Sequence, residues 1–186
     1  DQIAALETRD LNAMTTDQIR TLEQSQIAEL TTEQISRMVS TQIGAFNEDQ
    51  LDGMGTDQIA ALTTAQFTQI AAAKLGILAS DQVAALSTAT TAAITTDQLT
   101  VLSGEQFKAF TTDQVQALTT AQMPAVTFEH LDEMTTDQVA ALSTKQLSNI
   151  TAGRLEALTT EQVGAIAPAD LAKMTTEQVN ALIPDQ

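Results

Sequence analysis

The sequence contains no cysteine, tryptophan or tyrosine among its 186 residues. Without cysteine, the chain can form neither a disulfide framework nor a cysteine-ligated zinc site. Aromatic residues make up 3% of the chain and hydrophobic residues 43%. The core must therefore be built from leucine, isoleucine, valine, methionine and alanine, and side chains of this size favour thin, repetitive packing over one bulky centre.

Basic residues are also scarce: 8 lysines and arginines face 24 acidic residues, which gives a formal net charge of −16. Binding to nucleic acid or anionic lipid depends on lysine and arginine, so we expect neither as a partner. No apolar run approaches the roughly 18 residues of a membrane-spanning helix, so we expect no membrane insertion. Because the chain begins at Asp1 and stops within a repeated phrase, we expect a segment of a longer array.

The most prominent feature is an eight-residue repeat that runs without insertion or deletion. Written from Asp1 with positions a to h, the chain forms 23 octads with the consensus D-Q-V-A-A-L-T-T. Position f is apolar in all 23 octads, and position c is apolar in 22, with Thr91 the exception. Position b is glutamine in 17 octads. An uninterrupted register of this kind is typical of repeat proteins.

The spacing of the apolar positions predicts helices. Positions c and f are three apart, which places them on one face of a helix but on opposite faces of a strand. One continuous helix is excluded, because an eight-residue repeat would need about 4.0 residues per turn instead of about 3.6. The helix must therefore break once per octad, which predicts an all-α solenoid of helices of about two turns. Each helix needs its neighbours for stability.

The phrase "TTDQ" predicts where each helix begins. Position g is serine or threonine in 14 of 23 octads, three residues before the usual glutamine, which is the pattern of a capping box. Pro168 and Pro184 occupy position h, the predicted first helical residue, where proline is tolerated best. Pro124 lies at position d, so we expect an irregular helix start there. Octad 89–96 lacks both the glutamine and the apolar residue at c, so we expect reduced regularity there as well.

A second rhythm repeats every five octads, which is a 40-residue period. Position f is leucine at residues 22, 62, 102, 142 and 182, and the octad before holds methionine in four of five cases. One interpretation is physical: residue i packs on residue i+40, so five helices make one coil of a single solenoid over residues 1–186. The other interpretation is that a 40-residue unit was duplicated and the columns make no contact.

No cluster of residues predicts catalysis, so we expect no enzyme, no cofactor and no metal-binding residue. His130 is the only histidine and replaces a glutamine at position b, so we interpret it as a structural polar residue. Glu48, Asp49 and Asp52 are close in sequence and leave a weak calcium site as an alternative to a solvated corner. Dependence on divalent cations is left open. The threonine pairs could match ice, but their capping role and spiral placement disfavour this.

The repeated phrases resemble arrays in very large bacterial surface or secreted proteins described as adhesin-like or haemagglutinin-like. The resemblance rests on "ALTTAQ" at 61–66 and 117–122, "MTTDQVAALST" at 134–144 and "LTTEQV" at 158–163. It implies an extracellular or cell-surface structural role without catalytic residues. We therefore predict a stiff acidic spacer that contacts mainly neighbouring repeats of its own chain. The alternative is a protein-binding, adhesive scaffold that uses one exposed face.

Overall fold

A short helix forms in almost every octad of the computed structural model, which describes residues 3–182. These residues contain no β-strand, so the all-α prediction is confirmed. The chain divides into two compact units, Asp1–Ile94 and Thr95–Gln186, each built from short helices stacked in coils. Each unit is therefore a short-helix solenoid, as the octad pattern predicts. That the whole chain forms a single solenoid stays a prediction.

The first unit contains ten α-helices and one 3₁₀-helix within the described residues: α1 (Thr8–Ala13), α2 (Thr16–Arg20), α3 (Gln24–Ala28), α4 (Thr32–Arg37), α5 (Ser40–Gly44), α6 (Glu48–Asp52), α7 (Thr56–Ala60), α8 (Thr64–Phe67), η1 (Ala72–Ile77), α9 (Ser80–Ala84) and α10 (Thr88–Ala93). The second unit contains, within the described residues, α11 (Thr96–Thr100), α12 (Gly104–Lys108), α13 (Thr112–Ala117), η2 (Met123–Ala125), α14 (Phe128–Glu133), α15 (Thr136–Ala141), α16 (Thr144–Leu147), α17 (Ala152–Leu155), α18 (Thr160–Gly164), α19 (Pro168–Leu171) and α20 (Thr176–Leu182).

Capping boxes start most helices at the predicted position. At α4, the backbone N–H of Gln34 donates to Thr31 Oγ1 at 3.1 Å, and the Thr31 N–H donates to Gln34 Oε1 at 2.7 Å. Where position g has no side-chain acceptor, as at Val39 and Ala79, the glutamine at b still accepts from the backbone N–H of that residue. The reciprocal bonds satisfy N–H groups that a helix start leaves without partners.

Departures from the consensus have local causes. Pro124 lies in the 3₁₀-helix η2, which confirms the expected irregularity. The 3₁₀-helix η1 forms where Lys74 replaces glutamine, and its ammonium group cannot accept the capping N–H. Pro168 is the first residue of α19, as predicted, whereas Pro184 lies outside the described residues. The expectation of reduced regularity at octad 89–96 is wrong. There α10 forms, with Thr91 Oγ1 donating to the Ser87 carbonyl at 3.0 Å.

Positions c and f supply the core. From Leu11 to Leu155, every residue at position c is at most 1% exposed, and from Leu30 to Leu182 every residue at position f is at most 9% exposed. Burying a leucine- or isoleucine-sized side chain contributes about 1.5–3 kcal/mol. Two such residues per octad hold helices that are too short to be stable alone.

The coil is shorter than the 40-residue period indicates. Helices in close contact lie three octads apart, for example α5 with α8 and α17 with α20. Hydrogen bonds between coils join residues 25 to 31 positions apart, most often 28 and 31. One coil therefore contains three to four octads. The prediction of a five-octad coil is wrong.

The size of the side chains explains the tighter coil. Residues at c and f are almost fully buried within each unit, so they must fill the space that their coil encloses. Five helices around one coil would enclose more space than leucine, isoleucine and valine can fill at protein packing density. The columns that recur every 40 residues therefore do not mark one coil, and the other interpretation, a duplicated sequence unit, stays a prediction.

Candidate functional site: a row of side-chain donors between coils

The glutamine at position b joins each coil to the preceding one. Gln50, which is 0% exposed, accepts the Asn47 backbone N–H on Oε1 at 3.0 Å. Its Nε2 donates to the carbonyls of Ile19 at 2.8 Å and Leu22 at 2.7 Å. One amide therefore starts its own helix and also binds the C-terminal end of a helix one coil earlier.

This arrangement repeats at nearly constant spacing. We call the side chains at position b that donate to backbone carbonyls of the preceding coil the donor row. Its glutamine members are Gln34, Gln42, Gln50, Gln58, Gln66 and Gln82 in the first unit and Gln138, Gln146, Gln162 and Gln178 in the second. In α2 the glutamine at b, Gln18, is exposed and keeps its capping bond.

Three members of the donor row replace the amide with another donor. Lys74 Nζ donates to the Phe46 carbonyl at 2.6 Å, and Arg154 Nη1 donates to the Val126 carbonyl at 2.9 Å. Thr90 Oγ1, on a shorter side chain, donates to the Leu62 carbonyl at 3.4 Å. The requirement common to these substitutions is an N–H or O–H that reaches the preceding coil.

His130 is the fourth replacement and the closest imitation of glutamine. Its Nδ1 accepts the Thr127 backbone N–H at 3.1 Å, and its Nε2 lies 2.7 Å from the Leu102 carbonyl. The ring is 0% exposed and stacks on Phe107, with centroids 4.5 Å apart. Burial lowers the pKa of His130, against the opposing effects of the Leu102 hydrogen bond and the charge of Glu129. His130 is therefore a neutral structural residue.

Of the two aspartates at position b, Asp170 interrupts the pattern, because a carboxylate has no hydrogen to donate. Asp10 lies in α1 and is exposed beside Arg9, and no described residue lies 28 positions before it. Asp170 lies in α19, where its Oδ1 instead accepts a short hydrogen bond from Thr144 Oγ1. As a result, the residue at position b of α19 donates no hydrogen bond to the preceding coil.

The donor row stabilises the stacked coils through bonds that cannot form within a helix. The carbonyl at position c, such as that of Ile19, also accepts the backbone N–H of the residue at f, whereas the carbonyl at f lies beyond the helix, and a buried carbonyl without a donor costs about 1–3 kcal/mol. Each hydrogen bond contributes about 0.5–1.5 kcal/mol net. A glutamine that donates twice therefore contributes about 1–3 kcal/mol to holding its helix on the preceding coil.

The outer surface carries the negative charge. Every described residue at position a is exposed, and 13 of the 23 residues at this position are acidic. Ion pairs such as Arg37–Glu33 at 3.1 Å lie on this surface and contribute little to stability. Between coils, Lys108 contacts Glu133 at 3.0 Å, and the hydrogen bond and charge of Glu133 raise the pKa of Lys108.

The structure places the weak calcium candidate on an open surface. Glu48 and Asp49 line a depression of about 460 Å³ together with the cations Arg20 and Lys74. Asp52 instead accepts a hydrogen bond from the side-chain amide of Gln24 on the preceding coil. Within residues 3–182, no three histidine, aspartate or glutamate side chains are grouped as metal ligands. In the same range, no helix is long and apolar enough to cross a bilayer.

The second role of the glutamine was not recognised from the sequence, although a signal for it is present. A capping box accepts glutamate as readily as glutamine. Glutamate is common in this chain, yet it occurs at none of the 23 b positions. The absence of glutamate is explained if the residue at b must also donate to a carbonyl, which a carboxylate cannot do. A capping role alone does not explain it.

Short two-turn helices, coils of three to four octads and a donor row between them define a structural repeat protein of the α-solenoid class. The ALTTAQ repeat family model matches residues 3–40, 37–64 and 91–127. These matches cover more than half of the chain, which therefore belongs to the ALTTAQ repeat family. A search of curated proteins finds no significant match.

Proposed function

We propose that this chain is a stiff, acidic spacer in a large bacterial surface or secreted protein. The observation that supports the proposal is the donor row. Within each unit, most octads are bound to the preceding coil by a buried side chain as well as by two core residues. A unit built in this way resists bending and local opening at most of its octads, which is the property that a spacer requires.

The distribution of charge also supports a spacer. Exposed acidic residues at position a repel one another and discourage non-specific association with anionic surfaces. An adhesive scaffold would need a surface pattern that is maintained from coil to coil. Position d instead varies freely among exposed residues, as Arg20, Asp52 and Lys108 illustrate. For these reasons we favour the spacer over the adhesive alternative.

A role without catalysis is part of the proposal. The only histidine of the sequence uses both ring nitrogens in backbone hydrogen bonds and is 0% exposed. It therefore offers no free lone pair to a substrate. An extracellular or cell-surface location and the absence of nucleic-acid or membrane partners remain proposals based on the acidic surface and on the resemblance described above.

Small-angle X-ray scattering at two salt concentrations tests the stiffness. The Debye length falls from about 30 Å at 0.01 M salt to about 3 Å at 1 M. Apolar contacts and neutral amide bonds hold the coils, so the radius of gyration of the folded chain should not change. The same chain in urea is the control, and it should contract as salt screens its charge of −16. If the radius of gyration of the folded chain fell with salt by as large a factor as that of the urea-unfolded chain, the spacer proposal would be refuted.

A further inference from the structure

His130 differs from the other members of the donor row in one chemical respect. Glutamine and threonine do not titrate, and the ammonium group of Lys74 and the guanidinium group of Arg154 only donate, so neither bond needs an acceptor nitrogen. An imidazole changes its protonation near pH 6.5. Among the residues that bridge the coils from position b, His130 is therefore the member whose hydrogen bonds depend on a proton.

The geometry of His130 is compatible with only one protonation state. Nδ1 faces the Thr127 backbone N–H at 3.1 Å, so it must accept, and Nε2 faces the Leu102 carbonyl at 2.7 Å, so it must carry the hydrogen. Protonation adds a hydrogen to Nδ1 and places it against the Thr127 N–H. The capping bond is then lost, and a positive charge is buried beside Phe107 at 0% exposure.

The helices packed against the helix of His130 carry charges of both signs. Its own helix α14 carries Glu129, Asp132 and Glu133, α12 carries Glu105 and Lys108, and α17 carries Arg154. The charge of Glu129 favours the imidazolium, whereas the charge of Arg154 and, above all, burial oppose it. The carboxylates on α14 and α12 are mostly exposed, so solvent screens them.

We propose that His130 is a pH-sensitive release point, at which acidification breaks the capping bond of α14 and loosens its attachment to the preceding coil. The unfolded or opened chain binds the proton near pH 6.5, while the closed state resists it. The closed state is thus favoured above pH 6.5 and loses this advantage as the pH falls. Opening should increase by up to tenfold for each pH unit below 6.5 until the folded imidazole titrates.

The matched variant is His130→Gln, because glutamine is the residue that the other octads use at this position. Amide hydrogen exchange of Thr127 is measured for both proteins between pH 5 and pH 8 and corrected for intrinsic exchange. NMR of the imidazole nitrogens reports the ionisation of His130 in the wild type. The wild type should lose protection at Thr127 by up to tenfold per pH unit below 6.5, whereas the variant should show a much weaker change.

The result that overturns the proposal is equal pH dependence of Thr127 protection in the two proteins. That outcome would assign the effect to carboxylates that both proteins share. An imidazole that titrates at its ordinary value while Thr127 stays protected would also overturn it, since the buried ring would then accept a proton without opening. An imidazole that stays neutral below pH 6.5, together with loss of protection confined to the wild type, supports it.

Discussion

Replacing Gln50 with glutamate isolates the donor role of position b from its capping role. The substitution keeps the shape of the side chain and one oxygen that accepts the Asn47 N–H. It removes the two hydrogens that the amide donates at 2.8 and 2.7 Å to the carbonyls of Ile19 and Leu22. A carboxylate oxygen then faces two carbonyl oxygens at a position that is 0% exposed.

The expected destabilisation follows from these contacts. Losing two hydrogen bonds costs about 1–3 kcal/mol in total. A buried charge without a partner costs about 3–5 kcal/mol, and the two effects overlap because the group can partly relax. We therefore expect Gln50→Glu to lower the free energy of unfolding by about 3–5 kcal/mol at pH 7.

The matched control is Gln18→Glu in the same unit. Gln18 also accepts the backbone N–H of its capping residue, at 2.8 Å, but its side chain is exposed. A glutamate there keeps the capping bond and lies in the first turn of α2, where negative charge is favourable. The free energy of unfolding should change by less than about 0.5 kcal/mol. The difference between the two variants is the combined cost of losing the two donated hydrogen bonds and of burying a charge between the coils.

The pH dependence provides a second signature. Burial raises the pKa of the introduced carboxyl group above its ordinary value of about 4.3. The variant therefore loses stability relative to the wild type as the pH rises from about 4.3 through this raised pKa. Urea unfolding followed by far-UV circular dichroism at pH 5 and pH 7 measures both effects. Equal stability of the two glutamate variants at pH 7 would refute the donor row.

Four further predictions concern packing, hydrogen bonding and ions. Gly44→Ala should destabilise by about 1–3 kcal/mol, because the new Cβ would lie 2.7 Å from the Gln69 carbonyl oxygen. Gly153→Ala should instead stabilise by about 0.5 kcal/mol, since nothing lies within 4 Å and alanine favours a helix; thermal melts compare the two. Asp170→Gln should raise stability by about 1 kcal/mol by restoring a donor to the carbonyl of Leu142, as measured by urea unfolding. Millimolar calcium and a chelator should give identical melts, and order that appears only with calcium would contradict the described coil.

The octad fold could be predicted because it depends on local physics. The spacing of positions c and f, the capping phrase and proline at the first helical position all act within little more than one octad. The structure has each of them where the pattern places it, as at Thr31 with Gln34 and at Pro168.

The coil could not be predicted from the 40-residue rhythm, because similarity between distant residues does not require contact. The number of helices per coil depends on the corner angle and on how completely the apolar side chains fill the enclosed space. Neither quantity is periodic in the sequence. The donor row was missed for a different reason. A capping box already gives glutamine a sufficient role, and only the absence of glutamate from position b indicates a second one.

Disulfide mapping tests the coil of three to four octads most directly, since the chain has no cysteine of its own. A Cβ on Gly44 would lie 3.0 Å from the Gln69 Cβ, so the Cα atoms are within the limit of about 7 Å for a disulfide and a shift of about 0.5 Å reaches its Cβ–Cβ distance of about 3.5–4.5 Å. Both variants below carry the same strain at residue 44. Gly44→Cys is combined with Gln69→Cys in one variant and with Ala84→Cys, five octads further along the chain, in the other. The account predicts oxidation to a disulfide in the 44/69 variant alone. A disulfide in the 44/84 variant, with none in 44/69, would contradict it.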